Sequence, residues 1–167
     1  MSLARAGYRA RQFFHALFPR FEDHHLEHVR AILDEGEFAL FESMEKRDQR
    51  HGVRVMEHLR AEHHADRDLL AAALLHDCGK GDMPVWLRIA NVVFPAYLQR
   101  LATKAQEGHS GRGHPAAAFR LVHHARLGAG LAEKAGSSAA TVRYISGSAA
   151  EHEHDRIAVL RAADDRS

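Results

Sequence analysis

The segment 66–80, DRDLLAAALLHDCGK, decides the fold class of this chain. Residues 69–75 are apolar without interruption, which predicts a helix that is buried on all sides. His76 and Asp77 end this apolar run, and Gly79 marks the turn after it. Burying an imidazole and a carboxylate costs free energy unless partners satisfy them. The doublet is therefore the first place to look for a functional site.

The rest of the sequence favours helices, and no segment shows the alternation that is typical of a strand. Pro115 opens one helix at a first helical position, and Gly128 and Gly130 are predicted to end it. Together with the segment above, these patterns predict an all-α helical bundle. Helices are expected at 2–18, 22–33, 38–44, 48–63, 66–77, 83–101, 115–127, 131–147 and 154–165.

The segment 83–101 is the most apolar part of the chain. Arg88, Asn91 and Pro95 interrupt it, so no membrane span is predicted there. Pro95 predicts a kink. A plain packing helix and an interfacial or lid helix are both compatible with this pattern. A polar, glycine-rich loop is predicted to follow at 104–114.

The composition excludes several classes of protein. The 167 residues include 46% apolar side chains, enough for a globular domain with its own core. Lys and Arg number 23 against 22 for Asp and Glu, so no nucleic-acid partner is indicated. A single cysteine, Cys78, cannot form an internal disulfide, which favours a cytoplasmic protein. The 15 histidines are unusual, because histidine is the commonest metal ligand.

Helical spacing selects two partners for the doublet. His51 precedes Val55 by four residues and Leu59 by eight, which places it on a core-facing stripe. Asp164 lies four residues after Leu160 and shares the apolar face of the last helix. With the doublet, this gives two imidazoles and two carboxylates, a set that suits a divalent metal with open positions. A buried His–Asp hydrogen-bond cluster is the alternative.

The order of these residues resembles the H…HD…D signature of the HD-domain superfamily of metal-dependent phosphohydrolases. LLHDCGK is similar to that family's LLHDxGK, and AVLRAADD is similar to its closing helix. The resemblance implies an all-α bundle with a metal cleft between helices. It implies His51, His76, Asp77 and Asp164 as metal ligands, and Lys80 as a cation facing the substrate phosphate. A helix-terminal cation is the alternative role for the lysine.

The resemblance covers about residues 48–165. We therefore expect an HD-like metal-binding domain at 48–167. Residues 1–47 are expected to form an N-terminal helical preface packed on that core, so that the whole chain is one structural domain.

A second metal is found in some HD subfamilies. GHPAAAFRL resembles their HPxxGxxxL segment and makes His114 the candidate ligand, with Ala118 in place of the usual glycine. A cap of its own helix is the alternative role for His114. A later histidine is missing from the matching stretch 144–154, where His152 and His154 come a few residues late. Without a GYP triplet, the cyclic-dinucleotide phosphodiesterase branch is not expected.

His123 and His124 also follow His114 closely in the sequence. On a continuous helix, nine or ten residues span roughly 14 Å, so neither can share a metal ion with His114.

The implied function is hydrolysis of a phosphoric ester bond in a nucleotide or another small phosphorylated substrate. The four ligands admit manganese, iron, magnesium, zinc, nickel or cobalt. Asp77 would orient the attacking water or take its proton, Lys80 would stabilise charge on the phosphate, and Arg112 is a further candidate cation. A catalytically weak or inactive HD-like sensing or interaction module is the alternative. The sequence does not indicate an oligomeric state.

Overall fold

The computed structural model describes residues 23–82, 87, 93–106, 114–148 and 153–167. No strand occurs in these residues, so the predicted all-α class is confirmed. The helix expected at 2–18 and residues 107–113 of the expected loop lie outside the described residues. The helices are α1 Asp23–Ile32, α2 Glu35–Ser43, α3 Lys46–Ala61, α4 Arg67–Leu75, α5 Pro95–Gln106, α6 His114–Lys134, α7 Ala139–Ser146 and α8 His154–Asp165.

Helix α4 lies at the centre of the bundle. Every side chain from 69 to 75 is buried, as the uninterrupted apolar run predicts. Helices α1, α2, α3, α7 and α8 all pack against α4. Asp66 caps its first turn by accepting hydrogen bonds from the backbone N–H groups of Asp68 (3.0 Å) and Leu69 (3.1 Å). The cap fixes the start of α4, and the His–Asp doublet follows the opposite end of the helix.

Helix α3 approaches α4 more closely than a side chain at Gly52 would allow. A Cβ atom at Gly52 would lie 2.7 Å from the carbonyl oxygen of Leu74. The missing side chain lets the two backbones come together, and it brings the neighbouring His51 to the carboxyl end of α4.

Helix α6 is longer than predicted, because Gly128 and Gly130 do not end it. The helix continues to Lys134, so the helix expected at 131–147 is shortened to α7, which begins at Ala139. Gly128 instead faces the turn after α4. A Cβ at Gly79 in that turn would lie 2.5 Å from the Gly128 nitrogen. Gly128, which was predicted to end the helix, instead allows close packing between α6 and this turn.

Pro95 begins a helix, and residues 83–86 and 88–92 of the helix expected at 83–101 lie outside the described residues. Phe94 is not helical, and Pro95 occupies the first position of α5, where its missing N–H costs nothing. Leu98 of α5 is buried in a small apolar cluster with residues of α6, which agrees with a packing helix. Val93, Phe94 and Tyr97 are more than half exposed. None of the described helices is long and apolar enough to cross a membrane.

A buried carboxylate joins α2 to α4 and to the segment before α7. Glu37 is fully buried and pairs with Arg67. It also accepts hydrogen bonds from the Ser137 hydroxyl (2.7 Å) and the backbone N–H of Asp34 (3.0 Å). A charged group without water needs several such partners, and here they come from three parts of the chain.

Candidate metal centre

Three of the predicted ligands meet where α3 reaches the end of α4. His51 comes from the buried stripe of α3, and His76 and Asp77 lie in the turn after α4. One ligand atom from each of these residues lies within 4.8 Å of the others. Among the described residues, these three side chains form the group that could hold a metal ion.

Asp164, the fourth predicted ligand, lies outside this group of three but contacts both of its histidines. Near the carboxyl end of α8, its Oδ1 lies 2.7 Å from His51 Nε2 and 3.5 Å from His76 Nε2. The pKa of Asp164 lies well below its usual range, mainly because of the hydrogen bond with His51. His76 lowers this pKa further, whereas burial raises it. Residues separated by 113 positions in the chain are thus in direct contact.

Two buried atoms of the doublet have no hydrogen-bond partner. His76 Nδ1 donates to the Ala73 carbonyl oxygen at 2.9 Å, because a carbonyl can only accept. His76 Nε2 and Asp77 Oδ1 are buried, unpartnered and 3.4 Å apart. Buried polar atoms are nearly always satisfied, so such a pair requires an explanation. An imidazole lone pair facing a carboxylate oxygen is the donor set that a divalent cation satisfies.

The two members of the doublet hold opposite charges through their mutual contact. Burial lowers the pKa of His76, but Asp164 and Asp77 outweigh it, and the pKa of His76 is raised. Burial raises the pKa of Asp77, but the charges of His76, Lys80 and His51 outweigh it, and this pKa is lowered. A proton on His76 therefore occupies the place that a metal cation would take.

Lys80 pairs with the other oxygen of the doublet's carboxylate. Its Nζ donates to Asp77 Oδ2, and its side chain is only 18% exposed. Asp77 is therefore oriented with Oδ2 on the lysine and Oδ1 towards the imidazoles. Lys80 also lines the cavity beside the site. The family resemblance implies that this lysine faces the substrate phosphate.

His124 was missed at this site by the sequence analysis, which considered it only as a partner of His114. Its Nε2 lies 4.0 Å from Asp77 Oδ1, and its Nδ1 donates to the Leu121 carbonyl at 2.7 Å. Burial lowers the pKa of His124, with smaller opposing contributions. A departure from helical geometry at His123, with φ −110° and ψ 15°, precedes it.

The remaining candidate residues are not part of the described centre. His114 begins α6 ten positions before His124, on the other side of the non-helical backbone at His123, and its side chain lies outside the described residues. Arg112 and His152 lie outside the described residues as well. His154 is exposed at the start of α8, about 15 Å along that helix from Asp164.

Two cavities flank the centre. The larger, of about 290 Å³, is lined by Arg47, Asp48, His51, Arg54, Asp77, Lys80 and Leu121. The smaller, of about 150 Å³, is lined by His76, His124, Ala125, Tyr144, Ile145, Ser146, Gly147, Ile157, Leu160, Arg161 and Asp164. The metal-ligand candidates thus divide between the linings of the two cavities, with His51 and Asp77 in the larger and His76 and Asp164 in the smaller.

Comparison with known proteins gives no relative: no family model, no curated protein and no solved structure matches this chain.

Proposed function

We propose that this chain is a metal-dependent phosphohydrolase that cleaves a phosphoric ester bond in a nucleotide or another small phosphate ester. The observation that carries the proposal is the pair of buried, unpartnered atoms, His76 Nε2 and Asp77 Oδ1, 3.4 Å apart beside a cationic cavity. In a purely structural His–Asp cluster, a hydrogen bond of ordinary length would join the two atoms, whereas here they form only an ion-pair contact at 3.4 Å. The similarity of the residue pattern to the HD-domain superfamily agrees with this reading.

The residues that would hold the ion are His51, His76, Asp77 and Asp164. Two nitrogen and two oxygen donors suit a divalent first-row metal, and magnesium is also admitted. Such an ion supplies Lewis acidity and a bound water of lowered pKa. The Nδ1–H of His76 is already committed to a backbone carbonyl, which fixes the ring with Nε2 towards the site.

The chain's own side chains can orient and deprotonate the attacking water. Asp77 Oδ1 is unpartnered and can accept a hydrogen bond from the water. His124 faces the same oxygen with Nε2, whose lone pair is available because Nδ1 carries the proton. Lys80 stands on the opposite oxygen of Asp77, where its positive charge can stabilise a phosphoryl oxygen.

A panel of nucleotides and phosphomonoesters, assayed with added manganese, tests the proposal. Asp77→Asn keeps the shape of the side chain but removes its charge, and we expect kcat to fall by about a hundredfold or more. Asp165→Asn is the matched control, because Asp165 is exposed on the same helix as Asp164. Equal turnover by wild type and Asp77→Asn would exclude the assignment. A protein that binds the ion but turns over nothing in the panel would instead fit the non-catalytic sensing module.

A further inference from the structure

One face of α3 carries two arginines on either side of a predicted metal ligand. Arg47, His51 and Arg54 are spaced i, i+4 and i+7, which places them on one side of the helix. All three line the 290 Å³ cavity, together with Lys80. Arg47 and Arg54 are about 10.5 Å apart along the helix axis, one before and one after the ligand.

Both arginines are exposed, and neither belongs to an ion pair among the described residues. Arg54 is anchored by its Nε, which donates to the Ser167 backbone oxygen at 3.2 Å. That contact does not use the two terminal nitrogens of the guanidinium. Lys80, by contrast, is paired with Asp77. The cavity wall therefore offers two guanidinium groups beyond the lysine that the resemblance assigns to the scissile phosphate.

The cations that line the cavity exceed those that a single phosphoryl group needs. Its lining carries three cations and two carboxylates, a net charge of one when His51 is a neutral ligand. A divalent ion at the centre, held also by the carboxylate of Asp164, raises this charge to two. A phosphomonoester brings a charge of about −2, and a second phosphoryl group adds about one more negative charge. The net charge alone therefore matches a monoester, and the case for a second phosphoryl group rests on the position of the two arginines, which none of the side-chain carboxylates in the described residues neutralises.

We propose that Arg47 and Arg54 form a subsite for a second phosphoryl group, so that the substrate is a phosphoanhydride, either a nucleoside polyphosphate or a bare polyphosphate. The inference rests on the proposed metal-dependent hydrolysis and changes the bond that is cleaved from a phosphoric ester to a phosphoanhydride. Water oxygen bonds to the terminal phosphorus, and the anhydride P–O bond breaks. The bond's electron pair goes to the bridging oxygen of the leaving phosphate, and the water's protons go to the products or to solvent. The arginines stabilise the charge that develops on this leaving phosphate.

Calorimetric binding of two non-hydrolysable probes tests the subsite without turnover. Methylenediphosphonate carries two phosphonates and methylphosphonate carries one. At a fixed free manganese concentration, we expect wild type to bind the first at least about tenfold more tightly. Arg47→Gln and Arg54→Gln should each lose roughly tenfold in affinity for methylenediphosphonate and less than about twofold for methylphosphonate. Thermal melting of each variant checks that it folds.

Arg60→Gln is the matched control, because Arg60 is exposed on the same helix and lines a different cavity with His63 and His64. It should change neither affinity. If Arg54→Gln loses its fold with the Ser167 contact, Arg47→Gln decides the question alone. Equal affinity of wild type for both probes, or an equal effect of the arginine variants on both, overturns the subsite.

A third probe, adenosine α,β-methylenediphosphate, distinguishes a nucleoside polyphosphate from a bare polyphosphate. If this nucleotide analogue binds more tightly than methylenediphosphonate, the ligand is a nucleotide. If the two bind equally, the ligand is a bare polyphosphate. Either result supports the subsite when Arg47→Gln weakens the binding of the analogue. Repeating the titrations without manganese separates this inference from the proposed function. If the protein binds no metal and shows no turnover, the proposed function is wrong. If it still binds the two probes with different affinities, and the arginine variants remove that difference, the subsite is supported.

Discussion

Replacing Gly79 by alanine should separate the turn that carries the doublet from α6. An added Cβ would lie 2.1 Å from the His124 carbonyl oxygen and 2.5 Å from the Gly128 nitrogen. Both atoms belong to the backbone, so neither can turn away as a flexible side chain would. Ordinary contact begins near 3.4 Å, and the difference from 2.1 Å means that α6 or the turn must move by about 1.3 Å.

Overpacking of this kind costs about 1–3 kcal/mol. For a chain of this length, that loss lowers Tm by roughly 2–12 °C. The shift also moves Asp77 relative to His124, so the affinity for manganese should fall together with the stability.

Thermal unfolding followed by circular dichroism measures the effect, and Gly130→Ala is the control. Gly130 lies in the interior of α6, and a Cβ there meets nothing within 4 Å. Alanine at this position gains helix propensity and should raise the free energy of unfolding by about 1 kcal/mol. The two substitutions should therefore move Tm in opposite directions. A neutral Gly79→Ala, or equal shifts in both variants, would refute the close approach of α6 to the turn.

Three further outcomes follow from buried titratable groups. Burial raises the pKa of Cys78 to about 12. The native thiol should therefore resist a disulfide reagent at pH 9 and react after denaturation. The contribution of this buried thiol to the free energy of unfolding is present below about pH 9 and is lost as the pH rises towards 12. Glu37→Gln should lower the free energy of unfolding in urea by about 1–3 kcal/mol, because Arg67 loses a buried charged partner, whereas the exposed Glu35→Gln should change little. Because the pKa of His76 is raised, manganese binding near pH 6.5 should release a proton, and the calorimetric heat should vary with the ionisation enthalpy of the buffer; a heat independent of buffer contradicts this.

Local patterns predict the centre of the fold and four residues of the site. An uninterrupted apolar run has one stable place in a small all-α protein, which is the middle of the bundle, and α4 occupies it. Helical spacing also assigns His51 and Asp164 to buried faces, because the phase of a helix is fixed by its apolar residues. The contact between them follows once both faces turn towards the same helix end.

Features that depend on contacts between distant segments were not predictable in this way. Gly128 has the residue type of a helix stop, and only its contact with a turn fifty residues earlier explains its place inside α6. His124 depends on the same contact and on the irregular backbone at His123. Pro95 fits a kink and a helix start equally well, and the non-helical backbone at Phe94 decides for a helix start.

The central claim is that the doublet binds a metal ion, and equilibrium dialysis against manganese followed by elemental analysis tests it most directly. The wild-type chain should retain one tightly bound ion, and the double variant His76→Ala, Asp77→Ala should retain none. His123→Ala, on the neighbouring turn of α6 and packed against Phe119, should retain the ion like wild type. A wild-type chain without a stoichiometric ion, or a double variant that keeps it, would contradict the account.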